Sequence, residues 1–527
     1  MFRNLDIFNY ISLRIPKRIK VSFSSGIIVG WTTHFYMLTH KLPNWDDISQ
    51  IKGLGLTNAI GRWMLEPLQN IGQKASNPAI HGTLLIFFVS LAACLVVETL
   101  NLKSITAAVI IPSLMVTFPS LTGVLYFMFT AHLYALCIFL FCLSVFCAQR
   151  YKYGFAASGV CIILGLAIYQ PFVSVAISLF LILIVLEGIR GKNFCVLLKK
   201  CVEYACTLCV STFIYIRIAK LIYPQMETTT YGGAGEMGRI TLSEIPRNIA
   251  RSYKRVLEYF ITKPFAYLSQ SSRINNIVIC MLLLVLFIIC VTRHHLYRKK
   301  YELVFTIFVT CLLPLGMAFV YFMAPNAPFS ALMIYAYVFV YIFAIALAEL
   351  AFVRLGSKEE SGRKDLELID IVGMVMITLT LTLAGYYNYL LDSQAYFRSE
   401  IAIKRVTNYY NRIVSRVEES KGFSYGERVA ILGSFYYKDN PSPVEIYLFN
   451  DDEGLRELSG VVLENGLITT GVRNDFIRTY IGFDTGIITI EELERLKDTP
   501  EFDNMPIYPE EGSIRKINDV WVVKLCE

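Results

Sequence analysis

Through the first 390 residues, apolar positions gather in blocks of about 17 to 25 residues, the length that carries a helix across a hydrocarbon core of ~30 Å at 1.5 Å per residue. The blocks predict helical spans at about 21–40, 82–99, 104–119, 124–148, 154–170, 171–188, 201–222, 275–292, 303–323, 329–350 and 368–390. Beyond them the pattern changes. Residues 396–527 are charged and rich in turn formers, with strand-like runs at 428–433 and 520–525 and helical spacing at 397–417 and 490–496. Thr489, with Glu492 three residues on, has the spacing of a helix-capping box. The expected fold is an α-helical polytopic membrane protein of about eleven transmembrane helices with a small C-terminal α/β or α+β domain. Residues 1–390 form the membrane part and 391–527 the second domain.

The spans at 154–170 and 171–188 come from one apolar run, divided at Tyr169-Gln170-Pro171 because proline lacks the N–H a continuing helix needs and the run is twice one crossing. Basic residues then orient the spans. One set of loops holds Arg3 to Lys20, Lys103, Arg150, Lys152, Arg190, Lys192, Lys199, Lys200, Arg293, Arg298 to Lys300, Arg354, Lys358, Arg363 and Lys364. The short alternate loops near Ser120, Gln170 and Pro325 hold none, which places the first set in the cytoplasm. The N-terminus is then inside and the C-terminal domain outside, along with two long outer loops at 41–80 and 223–272.

Composition agrees. Hydrophobic residues make up 55% of 527 positions and charged residues 17%, below the roughly 25% of soluble domains. The net charge of +7 lies in the loops between spans, so membrane orientation accounts for it and nucleic acid is not an expected partner. The thirteen cysteines fall mostly within apolar runs, with no metal-ligand spacing, and read as small core residues. The segment holding Arg14, Lys17, Arg18 and Lys20 precedes an apolar stretch without a small-residue cleavage site, so that stretch reads as the first span.

Chemistry is sparse inside the spans. Their acidic residues, Glu98, Glu187, Glu203, Glu302, Glu349, Glu367 and Asp370, sit at predicted cytoplasmic ends, whereas an ion-coupled transporter would place such groups near the midplane. His132 is the one titratable group well inside a span and reads most simply as a structural histidine. The polar signal lies after the first span, at Pro43-Asn44-Trp45-Asp46-Asp47. Adjacent carboxylates suit a general base whose neighbour adjusts its pKa, though a plain solvated turn has the same composition. Arg62 offers a rigid fork of donors for phosphate and Trp63 a flat face for a sugar ring; an interfacial charge and an aromatic-belt residue are the plainer readings. Arg217 and Lys220, near the end of the seventh span, either snorkel to the interface or hold a lipid-linked phosphate. The glycine-rich Tyr231–Gly235 stretch is too loosely spaced for a nucleotide loop. After it, Ile245, Ile249, Tyr253, Leu257 and Phe260 recur at helical spacing between Arg247, Arg251, Lys254 and Arg255, as in an interfacial amphipathic helix. The C-terminal domain shows no catalytic constellation and is not the expected catalytic centre.

The acidic pair, Gly61-Arg62-Trp63, Tyr169-Gln170-Pro171, Tyr387-Asn388-Tyr389 and Met505-Pro506-Ile507-Tyr508-Pro509 together resemble the type II serotype-converting glucosyltransferases. That resemblance implies a GT-C class membrane glycosyltransferase. Its donor would be a polyprenyl-phosphate-linked sugar, and its acceptor a surface polysaccharide at the outer face of the cytoplasmic membrane. Asp46 or Asp47 would act as base, and Arg62, Arg217, Lys220 and Arg239 would stabilise the leaving phosphate. Asn44, Trp63, Tyr169 and Gln170 join the expected substrate-binding residues. Metal dependence stays open: some GT-C enzymes use a divalent cation, and no ligand set stands out here beyond the aspartates. The competing readings are a lipid-linked sugar or polysaccharide exporter and a non-catalytic glycan receptor.

Overall fold

A computed structural model describes residues 13–49, 60–72, 76–224, 241–262, 268–325, 330–352, 368–433, 458 and 470–525. In chain order the helices used below are α1 (Lys17–Thr39), α2 (Trp45–Ser49), α3 (Pro78–Thr99), α4 (Ile105–Thr117), α5 (Pro119–Leu125), α6 (Met128–Arg150), α7 (Gly154–Ile168), α8 (Val173–Ile189) and α9 (Phe194–Ile222). They continue as α10 (Ile245–Leu257), α11 (Gln270–Arg293), α12 (Lys300–Met317), α13 (Phe339–Phe352), α14 (Leu368–Glu418), α15 (Thr470–Phe476) and α16 (Ile490–Lys497). Two compact units result, one of Met1–Lys41 with Leu56–Ser393 and one of Leu42–Gly55 with Gln394–Glu527. The first unit holds the long apolar helices, and residues 42–49 group with the C-terminal part.

Among the described residues, eight helices are long and apolar enough to cross a membrane, or nine if the bent pair α4–α5 is one span. Each span read from the sequence overlaps a helix, and several differ in kind. Helix α1 has the length, but Ser22, Ser24, Ser25, Thr32, Thr33 and His34 keep it less apolar than the eight. Helix α7 is only 15 residues long. Where a short loop was expected near Ser120, the chain instead bends by 45° and continues as α5, whose seven residues are all buried. The bend follows from Pro119: Phe118 before it is extended, at φ −65° and ψ 130°, as a residue preceding proline tends to be.

Small residues set the closest helix contacts, as they do where lipid removes the hydrophobic drive for association. Gly26 and Gly30, four apart on α1, face Ser90 and Ile86 of α3 so closely that an added Cβ would lie 2.5 and 2.6 Å from them. Two polar side chains of the same helix bond across the bundle: His34 Nε2 donates to the Val116 carbonyl at 2.8 Å, and the Ser25 and Ser113 hydroxyls meet at 3.1 Å. The acidic residues at span ends are likewise engaged. Arg18 pairs with Glu98 at 2.5 Å, Lys200 with Glu187 and Arg293 with Asp370, while Glu349 accepts from the Lys103 and Ser104 amides at 2.6 and 3.1 Å. Each of these contacts joins loops or ends of the same basic set.

In the second unit, β1 (Arg428–Leu432), β2 (Ile514–Ile517) and β3 (Val520–Lys524) form a sheet in the order β1-β3-β2, with β1 parallel and β2 antiparallel to β3. Val520 and Val522 of β3, Ala430 and Leu432 of β1, and Leu496, Phe502, Met505 and Ile517 make its core. Helix α16 opens with the capping box expected at Thr489 and Glu492. The last span and the helix expected at 397–417 turn out to be one helix, α14, of 51 residues. No proline or glycine lies between Leu391 and Tyr396 to interrupt it.

Candidate active-site residues

Three of the expected site residues come together in the first unit although they are far apart in the chain. Arg62 Nε donates to Gln170 Oε1 at 3.3 Å, Arg62 Nη1 to the Tyr134 hydroxyl at 3.2 Å, and the guanidinium lies 4.6 Å from the centre of the Tyr169 ring. The Gln170 amide donates to the Ile60 carbonyl at 2.7 Å and to the Tyr215 hydroxyl at 2.8 Å, and that hydroxyl donates to the Gly61 carbonyl at 3.1 Å. Gly61 has φ +80°, a conformation glycine adopts without Cβ strain, and this turns its carbonyl into the assembly. The break at Tyr169-Gln170-Pro171 supplies two of the partners. Helix α7 ends at Ile168, and the 3-10 turn Gln170–Phe172 points Gln170 at the Arg62 turn before α8 begins.

The rings continue inward. Tyr134 stacks on Tyr169 at 4.3 Å, Tyr169 meets Phe172 edge-on at 4.8 Å, Phe172 lies 5.9 Å from Tyr335, and Tyr335 lies 6.2 Å from Phe118. Offset and edge-on aromatic pairs add to the stabilisation that burial provides. Arg62 therefore ends a buried aromatic band, with donors engaged inside the protein. Trp63 is half-buried, and its Nε1 has no hydrogen-bond partner among the described residues. Arg217 and Lys220 lie elsewhere: both are exposed on α9, on a different face from buried Tyr215. Arg239 and the Tyr231–Gly235 stretch lie outside the described residues. On α10 the buried residues are Asn248, Ser252 and Val256, and Leu257 is exposed.

The acidic pair occupies α2, in the second unit. Asn44 caps this five-residue helix: its Oδ1 accepts from the Asp47 amide at 2.9 Å, and its carbonyl from the Ile48 amide at 3.0 Å. The two carboxylates part company here. Asp47 is fully buried, Asp46 only half-buried. Helix α2 packs on α15, and the π-helical turn Ile477–Ile481 that follows brings Tyr480 within electrostatic reach of Asp47. Burial, and then the Asp47 charge, push the Tyr480 phenol above its usual range. No three His, Cys, Asp or Glu side chains converge as a metal-holding group among the described residues.

A model of the family described as Glucosyl transferase GtrII matches residues 35–346, more than half of the chain. The chain belongs to the GtrII glucosyl transferase family. It is therefore a membrane glycosyltransferase, in agreement with the resemblance drawn from its short motifs. The GtrII match includes the acidic pair, the Arg62 turn, Tyr169-Gln170 and α9, and stops before α14 and the C-terminal strands. No curated protein and no solved structure matches the chain.

One polar group of this GtrII member escaped the sequence reading. Asp392, fully buried on α14, accepts from the Thr122 hydroxyl of α5 at 2.5 Å. Its Oδ2, and Nδ2 of buried Asn388 one turn earlier, have no hydrogen-bond partner among the described residues. Asn388 belongs to the Tyr387-Asn388-Tyr389 motif, so the i, i+4 spacing of Asn388 and Asp392 was available as a signal. Their burial was not.

Proposed function

We propose that the protein transfers a hexosyl group, glucose by its family, from a polyprenyl-phosphate-linked sugar to a cell-surface polysaccharide at the outer face of the cytoplasmic membrane. The carrying observation is the GtrII match across the acidic pair and the membrane helices. The alternation of basic loops supports an N-terminus in the cytoplasm and a C-terminal domain outside.

In this reading Asp46 is the general base. It is the carboxylate with accessible surface, while Asp47 is enclosed. Asp46 takes the proton from the acceptor hydroxyl as that oxygen bonds to the anomeric carbon. The bond from this carbon to the phosphate oxygen breaks, and polyprenyl phosphate departs with the electron pair, inverting the configuration. Arg217 and Lys220, exposed near the end of α9, are suited to hold the phosphate of a lipid-linked donor. Arg62, Tyr169 and Gln170 shape the turn beside α7, with Asn44 capping the acidic helix. Trp63 supplies a ring face for sugar.

Compositional analysis of the surface glycan with and without the protein tests the reaction: a side-branch hexose should disappear in its absence. Asp46→Asn should express normally and abolish transfer. Normal decoration by the Asp46→Asn/Asp47→Asn double variant would remove the acidic pair from the mechanism.

A further inference from the structure

We infer that the C-terminal domain is the positioning element of the acidic loop: residues 42–49 fold as part of that domain, and its helix α15 and following turn fix the direction in which Asp46 is presented. The inference rests on the reading of Asp46 as base and extends it, assigning a task to a domain that carries no catalytic constellation of its own.

The argument starts from size. A five-residue helix cannot hold itself, because helix nucleation is unfavourable and isolated helices of this length do not persist in water. Its geometry has to come from its cap and from what it packs on. Asn44 provides the cap. The packing is provided by α15, with Leu42, Asn44, Asp47 and Ile48 all at 3% exposure or less. The loop thus reaches across the sequence to residues more than four hundred positions later, and it groups with them rather than with the span it follows.

Helix α15 is in turn fixed to the sheet. Arg473, 4% exposed, donates from Nη1 to the Ile431 carbonyl at 2.5 Å and from Nη2 to the Gly433 carbonyl at 2.8 Å, at the end of β1. A bidentate guanidinium on two carbonyls sets orientation as well as distance. Phe476, at the end of α15, stacks on Tyr480 at 4.9 Å and lies 5.9 Å from Tyr410 of α14. A continuous path therefore runs from β1 through Arg473 and α15 to α2, with Tyr480, stacked on Phe476, within electrostatic reach of Asp47. Asp47 and Tyr480 are positioning residues in this scheme, and Asp46 is the group that meets substrate.

Hydrogen–deuterium exchange on the full-length protein in nanodiscs tests the coupling without reference to activity. In the wild type, amides of 42–49 should be protected together with those of 520–524. Arg473→Met should speed exchange at 42–49 while the membrane helices stay protected. If that variant also loses protection at 520–524, Tyr480→Leu, which leaves the Arg473 contacts in place, should show the same selective loss. Exchange at 42–49 that is fast in the wild type, or unchanged by Tyr480→Leu, would overturn the inference.

Steady-state transfer supplies the second arm. Tyr480→Leu should lower kcat by up to about a hundredfold, the scale of an ångström-sized misplacement, with KM for the polyprenyl-linked donor unchanged. Arg473→Lys should recover part of the turnover lost in Arg473→Met. Full turnover in Tyr480→Leu would also overturn the positioning role. A wild-type protein that transfers no sugar would instead defeat the functional reading, while the exchange arm still judges the coupling.

Discussion

Arg62 was read from the sequence as a phosphate ligand and is found tied into the protein, and Arg62→Lys separates the two roles. Lysine keeps the charge but offers a single nitrogen and no planar face. It can retain one of the two hydrogen bonds, at 3.3 and 3.2 Å, and not the flat contact with Tyr169 at 4.6 Å. A hydrogen bond to a charged group contributes about 1.5–3 kcal/mol, with these two long enough to belong at the weak end, and a partly desolvated cation–π contact about 1 kcal/mol. The substitution should therefore cost about 2–3 kcal/mol of stability. Thermal unfolding in detergent, followed by a dye that labels emerging buried cysteines, measures it; donor dependence of transfer is recorded in parallel. Gln170→Leu should cause a loss of similar size, and the double variant less than the sum, since the two residues share one network. Unchanged unfolding together with a more than tenfold rise in donor KM would refute the reasoning and return Arg62 to the phosphate.

Three further outcomes are expected. Gly30→Ala should destabilise the α1–α3 contact by about 1–3 kcal/mol, because the new Cβ would meet Ile86 Cγ2 at 2.6 Å and a β-branched side chain in a helix has little freedom to move. Adding Ile86→Leu, which lacks that methyl group, should restore part of the loss in the same thermal assay. Thr122→Val should cost about 1–3 kcal/mol by leaving the buried Asp392 carboxyl without its donor, and the Thr122→Val/Asp392→Leu pair should be more stable than Thr122→Val alone. In the C-terminal domain, hydrogen bonds from Lys516, then Trp521 and the Ser424 amide, lower the Glu427 pKa to about 2. Because the folded value lies below the ordinary 4.5, the stabilisation is complete above about pH 4.5 and is lost as pH falls toward 2. Glu427→Gln should remove that acid-dependent part, read by fluorescence of Trp521, whose indole donates to Glu427 at 2.6 Å.

The hydrophobic pattern alone determined the membrane helices, because a backbone in hydrocarbon has to satisfy its own hydrogen bonds and therefore forms helices of a length set by the bilayer. Pattern and proline chemistry also placed the break at Tyr169–Pro171, the strands 428–433 and 520–525 and the cap at Thr489. Short motifs were sufficient to point to the family that the comparison then showed. They did not reveal which polar residues meet. Arg62 and Gln170 are 108 positions apart, and Thr122 and Asp392 are 270 apart, so neither pairing has a local signature. The bend before α5 was missed because a buried half-helix and a short apolar loop have the same composition.

The acidic pair shows the division most sharply. The sequence determined that two carboxylates follow the first span, and nothing in two adjacent aspartates distinguishes one from the other. Only the tertiary structure decided that Asp47 is enclosed and Asp46 is not. Helix α15 packs on α2, and burial is a property of what packs against a residue rather than of its neighbours in the chain.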